Sequence, residues 1–412
     1  MQQKRKHILL TITIVVIAFS AIATTALITQ APPQAKIATN CPVGLHNSDP
    51  SLLWERAFGG AGDDRAFGIA ETGDGYLVVG SSTSFVANHT VAWILWLDLE
   101  GNQVWNRTYM ENYGMEFRTI SRLQDGFLVV GNTFLESGGV CGVVMKLNSQ
   151  GTPIWNVTLQ ACEGLNKLFS GMNDGSALLV TGLTEPLNAS ASSGWLVKLS
   201  AKGEILWSKT FGGSVDTAMR GVAVTGDGGY VAAGYVDYAG NGNYDFLAMK
   251  FGSAGNLLWN KTYGGPQSDL AYSVTSSPGG CVVAGNTYSY GAGDSDAWII
   301  KIDLDGNLLW SRTVGGMDYD SPSYITASQN GGYLVTGTTF SFGNGNRDFW
   351  LFSVDNSGNV QWSFTVGRAG YEEAYGVVCA GGSNYVLAGW TNSIGAGGRY
   401  DFYVVKVTAG SG

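Results

Sequence analysis

Histidine is scarce, with three in 412 residues. His7 precedes an N-terminal apolar run, so only His46 and His89 remain for the body of the chain, and neither has a plausible nucleophile beside it. Ser-His-Asp and Cys-His catalysis and a His/Cys zinc site all need an imidazole and are excluded on that ground. Charge is sparse as well, at 13% of residues, and only 9 prolines stand beside 60 glycines. Buried strands and tight turns must therefore account for most of the length. Basic groups number 23 against 32 acids, a net charge of −9. Lys4, Arg5 and Lys6 sit at the N-terminus, so the remainder sets 20 basic groups against those 32 acids, a balance of −12. A body that acidic repels phosphate backbones, which excludes nucleic acid as a partner. No glycine loop cradles a phosphate either, because the Gly-x-Gly stretches lead into strands and not helices.

One long hydrophobic run is present. Lys4, Arg5, Lys6 and His7 precede Ile8 to Ile28, a stretch of 21 residues without a charge. It is longer than a signal-peptide core and about long enough to span a bilayer. Ala21-Ile22-Ala23 has the small residues of a cleavage site, so retained anchor and cleaved signal both fit, and length favours the anchor. With the positive flank inside, everything after residue 30 lies outside in either case. Residues 30–50 carry four prolines and no periodicity and read as a tether. The sequons at Asn88, Asn106, Asn156, Asn188 and Asn260 agree with export but are few enough to arise from composition.

Beyond the tether the chain repeats itself. Tryptophans recur at Trp54, Trp105, Trp155, Trp207, Trp259, Trp310 and Trp362. A second marker keeps step at Gly80, Gly131, Gly182, Gly234, Gly285, Gly337 and Gly389. In the unit starting at Ala271, residues 271–277 read as strand A and Pro278-Gly279-Gly280 as a turn, with 281–287 as strand B. A glycine-rich loop leads to strand C at 296–302, and Asp303 to Asn307 forms a hairpin into strand D at 308–314. Units of about 50 residues with four antiparallel strands are the mark of propeller blades. The ends are complementary: 52–58 is a strand D without its A, B and C, and 401–407 is a strand C without its D. The expected fold is all-β, a seven-bladed β-propeller closed by the N-terminal strand completing the last blade. The chain then divides into a signal anchor or signal peptide at 1–29, the tether at 30–50, the propeller at 51–408 and a tail at 409–412.

The C–D hairpins carry a family resemblance. KIDLDGNLLW (301–310), SVDNSGNVQW (353–362) and WLDLEGNQVW (96–105) resemble the tryptophan-docking repeat of the PQQ-like, quinoprotein-type secreted propellers. The resemblance covers residues 52–407 and implies that the tryptophan four residues after the turn glycine docks between blades. The turn here is one residue shorter than in the enzyme members, and there is no adjacent cysteine pair and no CxxCH haem site. The resemblance thus implies fold and secretion, not quinone chemistry.

Five cysteines remain to be placed. Cys141 begins strand C of the second unit and Cys162 follows strand D of the same hairpin, so antiparallel pairing predicts a disulfide between them in an exported protein. Cys281 and Cys379 fall within strands and read as buried thiols, while Cys41 lies in the tether. The repeated tryptophans read as packing between units and not as a sugar-stacking array. Lys146, Lys198, Lys250, Lys301 and Lys406 follow strand C as a structural feature.

Acidic loops are the one constellation with chemistry. Asp245, Asp296, Asp348 and Asp401 stand at B–C junctions, and Asp64, Asp216, Asp269, Asp320 and Glu372 stand in D–A connections. Both loop types share one face of a four-stranded meander. Each carboxylate either caps the backbone of its own loop or helps form a face for calcium or a polar ligand. Units two and three lack the strand-C aspartate. No motif requires a cofactor, and calcium is the ligand the acids would take. The expected role is a non-catalytic binding or scaffold module at the cell surface, with a protein, glycan or cell-envelope partner. The alternative is an enzyme, either a degenerate quinoprotein-type oxidoreductase or a carboxylate-based glycan hydrolase or lyase.

Overall fold

The computed structural model describes residues 50–111, 113–159, 164–329, 331–395 and 399–409. The hydrophobic segment 1–29, the tether up to residue 49, Cys41, His46, Cys162 and the tail after Ala409 lie outside the described residues. Among the described residues there are 28 strands, and no helix is long and apolar enough to cross a membrane. The strands belong to one compact unit within residues 31–412.

The strands form antiparallel meanders of four, repeated along the chain. In the unit read from Ala271, strand A is Asp269–Ser277, B is Gly280–Thr287, C is Asp296–Asp303 and D is Leu308–Val314, paired in that order. A single parallel bridge from Leu165 to Val140 links the second and third meanders into one sheet. Strand B of the Ala271 unit is buried at every position and strand C at nearly every one, whereas strand D is partly exposed throughout. Sheets covered on both faces need apolar strands in the middle, and the apolar runs of B and C supply them. Neighbouring units share their cores: Val282, Ala284 and Ile299 pack with Val335, Trp350 and Phe352 of the next unit. The result is an all-β, propeller-like stack of four-stranded sheets.

The two ends of the described chain meet. Ser51–Phe58 pairs antiparallel with Asp401–Thr408, and Glu55 stands opposite Val405. Asp64 N–H donates to the Tyr400 carbonyl at 2.8 Å. Ala66, Tyr76 and Trp93 share one core with Val386, Phe402 and Val404.

Each C–D turn receives a tryptophan from the preceding unit. Gly306 turns the chain at φ +74°, and a Cβ there would come within 2.9 Å of the Trp259 ring. Trp259 Nε1 also donates to the Leu304 carbonyl at 2.9 Å. Trp54, Trp105, Trp155, Trp207 and Trp310 lie in the same way on Gly101, Gly151, Gly203, Gly255 and Gly358. Trp362 meets the Tyr385 ring, with centroids 5.7 Å apart. All seven are only half-buried; the fully enclosed tryptophans are Trp195, Trp298 and Trp350, in the C strands. Lys146, Lys198 and Lys250 pair with Asp125, Asp174 and Asp227 of the A–B turns.

Candidate functional site

The acids at the B–C and D–A end sit deeper than loop residues ordinarily do. Asp64, Asp269, Asp320, Glu372, Asp296, Asp348 and Asp401 are all buried, while Asp216 and Asp245 are partly so. The D–A acids hold their own loops. Asp269 accepts from Gly265 N–H and Ser289 Oγ, both at 2.8 Å, and Asp320 accepts from Gly316 N–H and Ser341 Oγ, both at 2.7 Å. Asp64 has the same arrangement with Gly60 and Ser84. Glu372 accepts from Arg368 N–H and Thr391 Oγ1. Strand-C acids act similarly on their own loops: Asp296 accepts from Ala292 N–H at 2.7 Å and Asp348 from Gly345 N–H at 3.0 Å.

The two sets also converge in pairs. A Cβ added to Gly315 would lie 1.9 Å from Asp296 Oδ1 and 2.9 Å from Asp320 Oδ2. Gly59 separates Asp401 from Asp64 in this way, Gly264 separates Asp245 from Asp269, and Gly367 separates Asp348 from Glu372. Two carboxylates close together and away from water oppose ionisation. Burial, followed by the Asp269 charge, pushes Asp245 up to about 6. Burial also raises Asp296 and Asp348, against backbone N–H bonds, with the Asp320 and Glu372 charges adding to the rise. Asp216 has no strand-C partner and instead accepts from Ser192 N–H at 2.9 Å. Among the described residues no group of three His, Cys, Asp or Glu is arranged to hold a metal.

A second site lies on the inner strands, where sequence reasoning did not look. Every strand A carries a β-bulge, which leaves one residue unpaired. The unpaired residues are Phe67, Arg118, Phe169, Arg220, Tyr272, Ser323 and Tyr375. All seven line one cavity of about 420 Å³, within the range of small-ligand pockets. The repeated marker glycine explains how the bulge is seated. A Cβ on Gly285 would lie 2.0 Å from the Leu270 carbonyl oxygen, and one on any of the other six marker glycines would lie 1.8–2.1 Å from a strand A carbonyl oxygen. The marker was legible; its consequence was not, because it shows only once strands A and B are paired. A break in the alternation of strand A, as in Ala66-Phe67-Gly68, is the signal that could have pointed there.

The cavity is polar and aromatic. Arg118 lies 4.5 Å over Phe67, and Arg220 lies 4.1 Å over Phe169 and 5.5 Å from Tyr272. Arg118 pairs with Glu116 at 2.8 Å, Arg347 pairs with Glu373, and Tyr375 donates to Glu373 at 2.6 Å. Arg220 has no carboxylate partner among the described residues. Burial holds its guanidinium below the ordinary arginine value, and the nearby Arg118 charge acts in the same direction. Of the cysteines, Cys141 is disulfide-bonded, with Cys162 outside the described residues. Cys281 and Cys379 are free thiols, and burial pushes Cys281 up to about 12.

The family described as outer membrane protein assembly factor BamB matches residues 140–386. Regulatory protein FlaEY of Caulobacter vibrioides is 28% identical over 160 residues, which is 33% of this chain and 17% of that protein, so this chain spans only a small part of that relative's length. Among solved structures, the WD40 domain of Toxoplasma gondii coronin superposes with a TM-score of 0.50 at 12% identity, covering 87% of this chain and 88% of that one. PQQ-bound aldose sugar dehydrogenase from Streptomyces coelicolor gives a TM-score of 0.43 at 15% identity over 87% and 98% of the two chains. At 12% identity the likeness to the WD40 domain is one of fold alone.

Proposed function

We propose a function from the premise that this chain belongs to the family described as outer membrane protein assembly factor BamB. It is a non-catalytic binding or scaffold propeller held outside the membrane, with 1–29 as anchor or signal, 30–50 as tether, 51–408 as the propeller and 409–412 as a tail. The propeller has seven blades, and Ser51–Phe58 completes the last of them. The pairing of that strand with Asp401–Thr408 and the seat of Trp54 on Gly101 support closure. Its partners are a protein or a carbohydrate of the cell surface.

The observation that carries the binding reading is the set of seven bulge residues around one cavity. Repeated blades would be expected to present like side chains, yet these positions hold Phe, Arg, Tyr and Ser. Unlike groups converging on one point are what recognition of a small molecule needs. The acid pairs serve as loop caps that hold the face around the cavity in shape, and no calcium is required for that role.

A melting-temperature screen of the full chain against small molecules and cell-envelope glycans tests the reading. A ligand selective for the native state raises the melting temperature. Ser323→Trp fills the cavity and should abolish the shift produced by any hit; shifts that survive it would move the site elsewhere. Removing residues 1–60 should unfold the domain whereas removing 1–45 should not, and equal melting temperatures for the two truncations would overturn closure. Protease added to intact cells should cut the tether or propeller, and full protection would refute the topology.

A further inference from the structure

We infer that the central cavity is a site for a sugar acid, a hydroxylated ring bearing one carboxylate, with Arg220 as the group that holds the carboxylate. The inference rests on the cavity being the binding site, as read above, and adds the class of ligand.

The argument starts from charge. Three arginines line the cavity, and two are neutralised in place, Arg118 by Glu116 and Arg347 by Glu373. Arg220 makes no ion pair and no hydrogen bond to protein among the described residues, although the chain as a whole carries −9. The rings of Phe169 and Tyr272 beside it satisfy its apolar surface and leave its N–H donors unused. A planar guanidinium with free donors in a confined space is matched by a carboxylate, which accepts two parallel hydrogen bonds.

The rest of the wall selects the body of the ligand. Ser170, Ser321 and Ser323 line the cavity together with Tyr272 and Tyr324, so hydroxyl groups and aromatic rings share its wall, whereas the Ser121 hydroxyl is engaged with the Gly171 carbonyl. Aromatic faces accommodate the C–H face of a sugar ring, and hydroxyls exchange hydrogen bonds with its hydroxyls. A wall for a purely apolar acid would not need the serines. Tyr324 lines the cavity and leaves 39% of its surface uncovered by protein.

Calorimetric titration of the full chain with glucuronate, glucose and benzoate tests the inference. Glucuronate should bind with one-to-one stoichiometry, and glucose and benzoate should each bind at least about tenfold more weakly, the scale of a charge-assisted hydrogen-bonded contact. Arg220→Gln should remove the preference for glucuronate over glucose. Arg220→Lys, which keeps the charge but loses the fork, should retain part of it. If Arg220→Gln does not fold, the three probes on the unaltered protein still decide. Glucose binding as tightly as glucuronate, with both lost in Ser323→Trp, would overturn the anion site and leave the cavity reading intact. Benzoate binding as tightly as glucuronate would overturn the sugar-acid class. Failure of all three probes to saturate would overturn the inference, whereas failure of the cavity reading would show separately as screen hits insensitive to Ser323→Trp.

Discussion

Aspartates cap the backbone at both ends of the blades, and the two ends respond to protons in opposite directions. At the C–D turns, Asp98 accepts from Asn102 N–H at 2.7 Å and from Glu100 N–H at 3.0 Å, and Asp303 and Asp355 repeat the arrangement. Hydrogen bonds from the Asn102 side chain and backbone hold Asp98 below the usual carboxylate range. Asp303 is also lowered: burial opposes this, but the bonds from Asn307 prevail. At the other end Asp245, Asp296 and Asp348 are raised. Backbone donors are present at both ends, so capping alone does not decide the sign. The difference is deeper burial, to which a second carboxylate across a glycine adds.

Steric substitutions should separate the two ends most strongly. Gly315→Ala places a methyl group between Asp296 and Asp320 and should cost about 3 kcal/mol or more, read from chemical denaturation. Gly306→Ala at the turn meets the edge of Trp259, the flexible Lys261 side chain and a positive φ, and should cost about 1–2 kcal/mol. Equal costs would mean that the acid pair is not packed as described.

Next in size is the turn cap itself. Asp303→Ala loses the bonds to Asp305 and Asn307 and should cost about 1 kcal/mol at neutral pH. Because its folded value is lowered, the contribution is present above the ordinary carboxylate range and lost as pH falls through the folded value. The cost of Asp303→Ala should therefore shrink in acid.

Asp245 should show the reverse. Its folded value is raised to about 6, so its contribution is complete below the ordinary carboxylate value and lost as pH rises through about 6. Asp245→Asn should stabilise the protein at pH 7.5 by about 1 kcal/mol, allowing for partial exposure to water, and have little effect near pH 4. A melting profile for Asp245→Asn parallel to that of the unaltered protein would remove the paired-acid account. The smallest effect concerns calcium. Millimolar calcium should leave the melting temperature unchanged both in the unaltered protein and in Asp296→Asn with Asp348→Asn. A shift that the double substitution abolishes would make the pairs cation sites.

Much of the architecture was readable along the chain. Strand B read at 281–287 and strand D at 308–314 differ by at most a residue from Gly280–Thr287 and Leu308–Val314, because glycine and Asn/Asp turns bound apolar runs of the right length. The half-units at 52–58 and 401–407 are paired in the structure. The tryptophans at fixed spacing lie at the junctions between units, but half-exposed, so Trp310→Ala should cost about 2 kcal/mol, less than a fully buried tryptophan. Side-chain destinations were less legible. The D–A and B–C acids could be placed on one face, yet their meeting across Gly59, Gly264, Gly315 and Gly367 joins residues of successive units.

The sequence by itself determined the repeat, the four-stranded unit and the acidic end, since these depend on local turn chemistry and on apolar runs bounded by those turns. Tertiary structure alone decided that Gly285 and its counterparts seat a bulge, that the bulge turns Phe67, Arg118, Phe169, Arg220, Tyr272, Ser323 and Tyr375 into one cavity, and that Arg220 has no counter-charge among the described residues there. The physical reason is that a bulge is a property of two paired strands, and a cavity a property of all the inner strands together. Neither exists along a single stretch of chain.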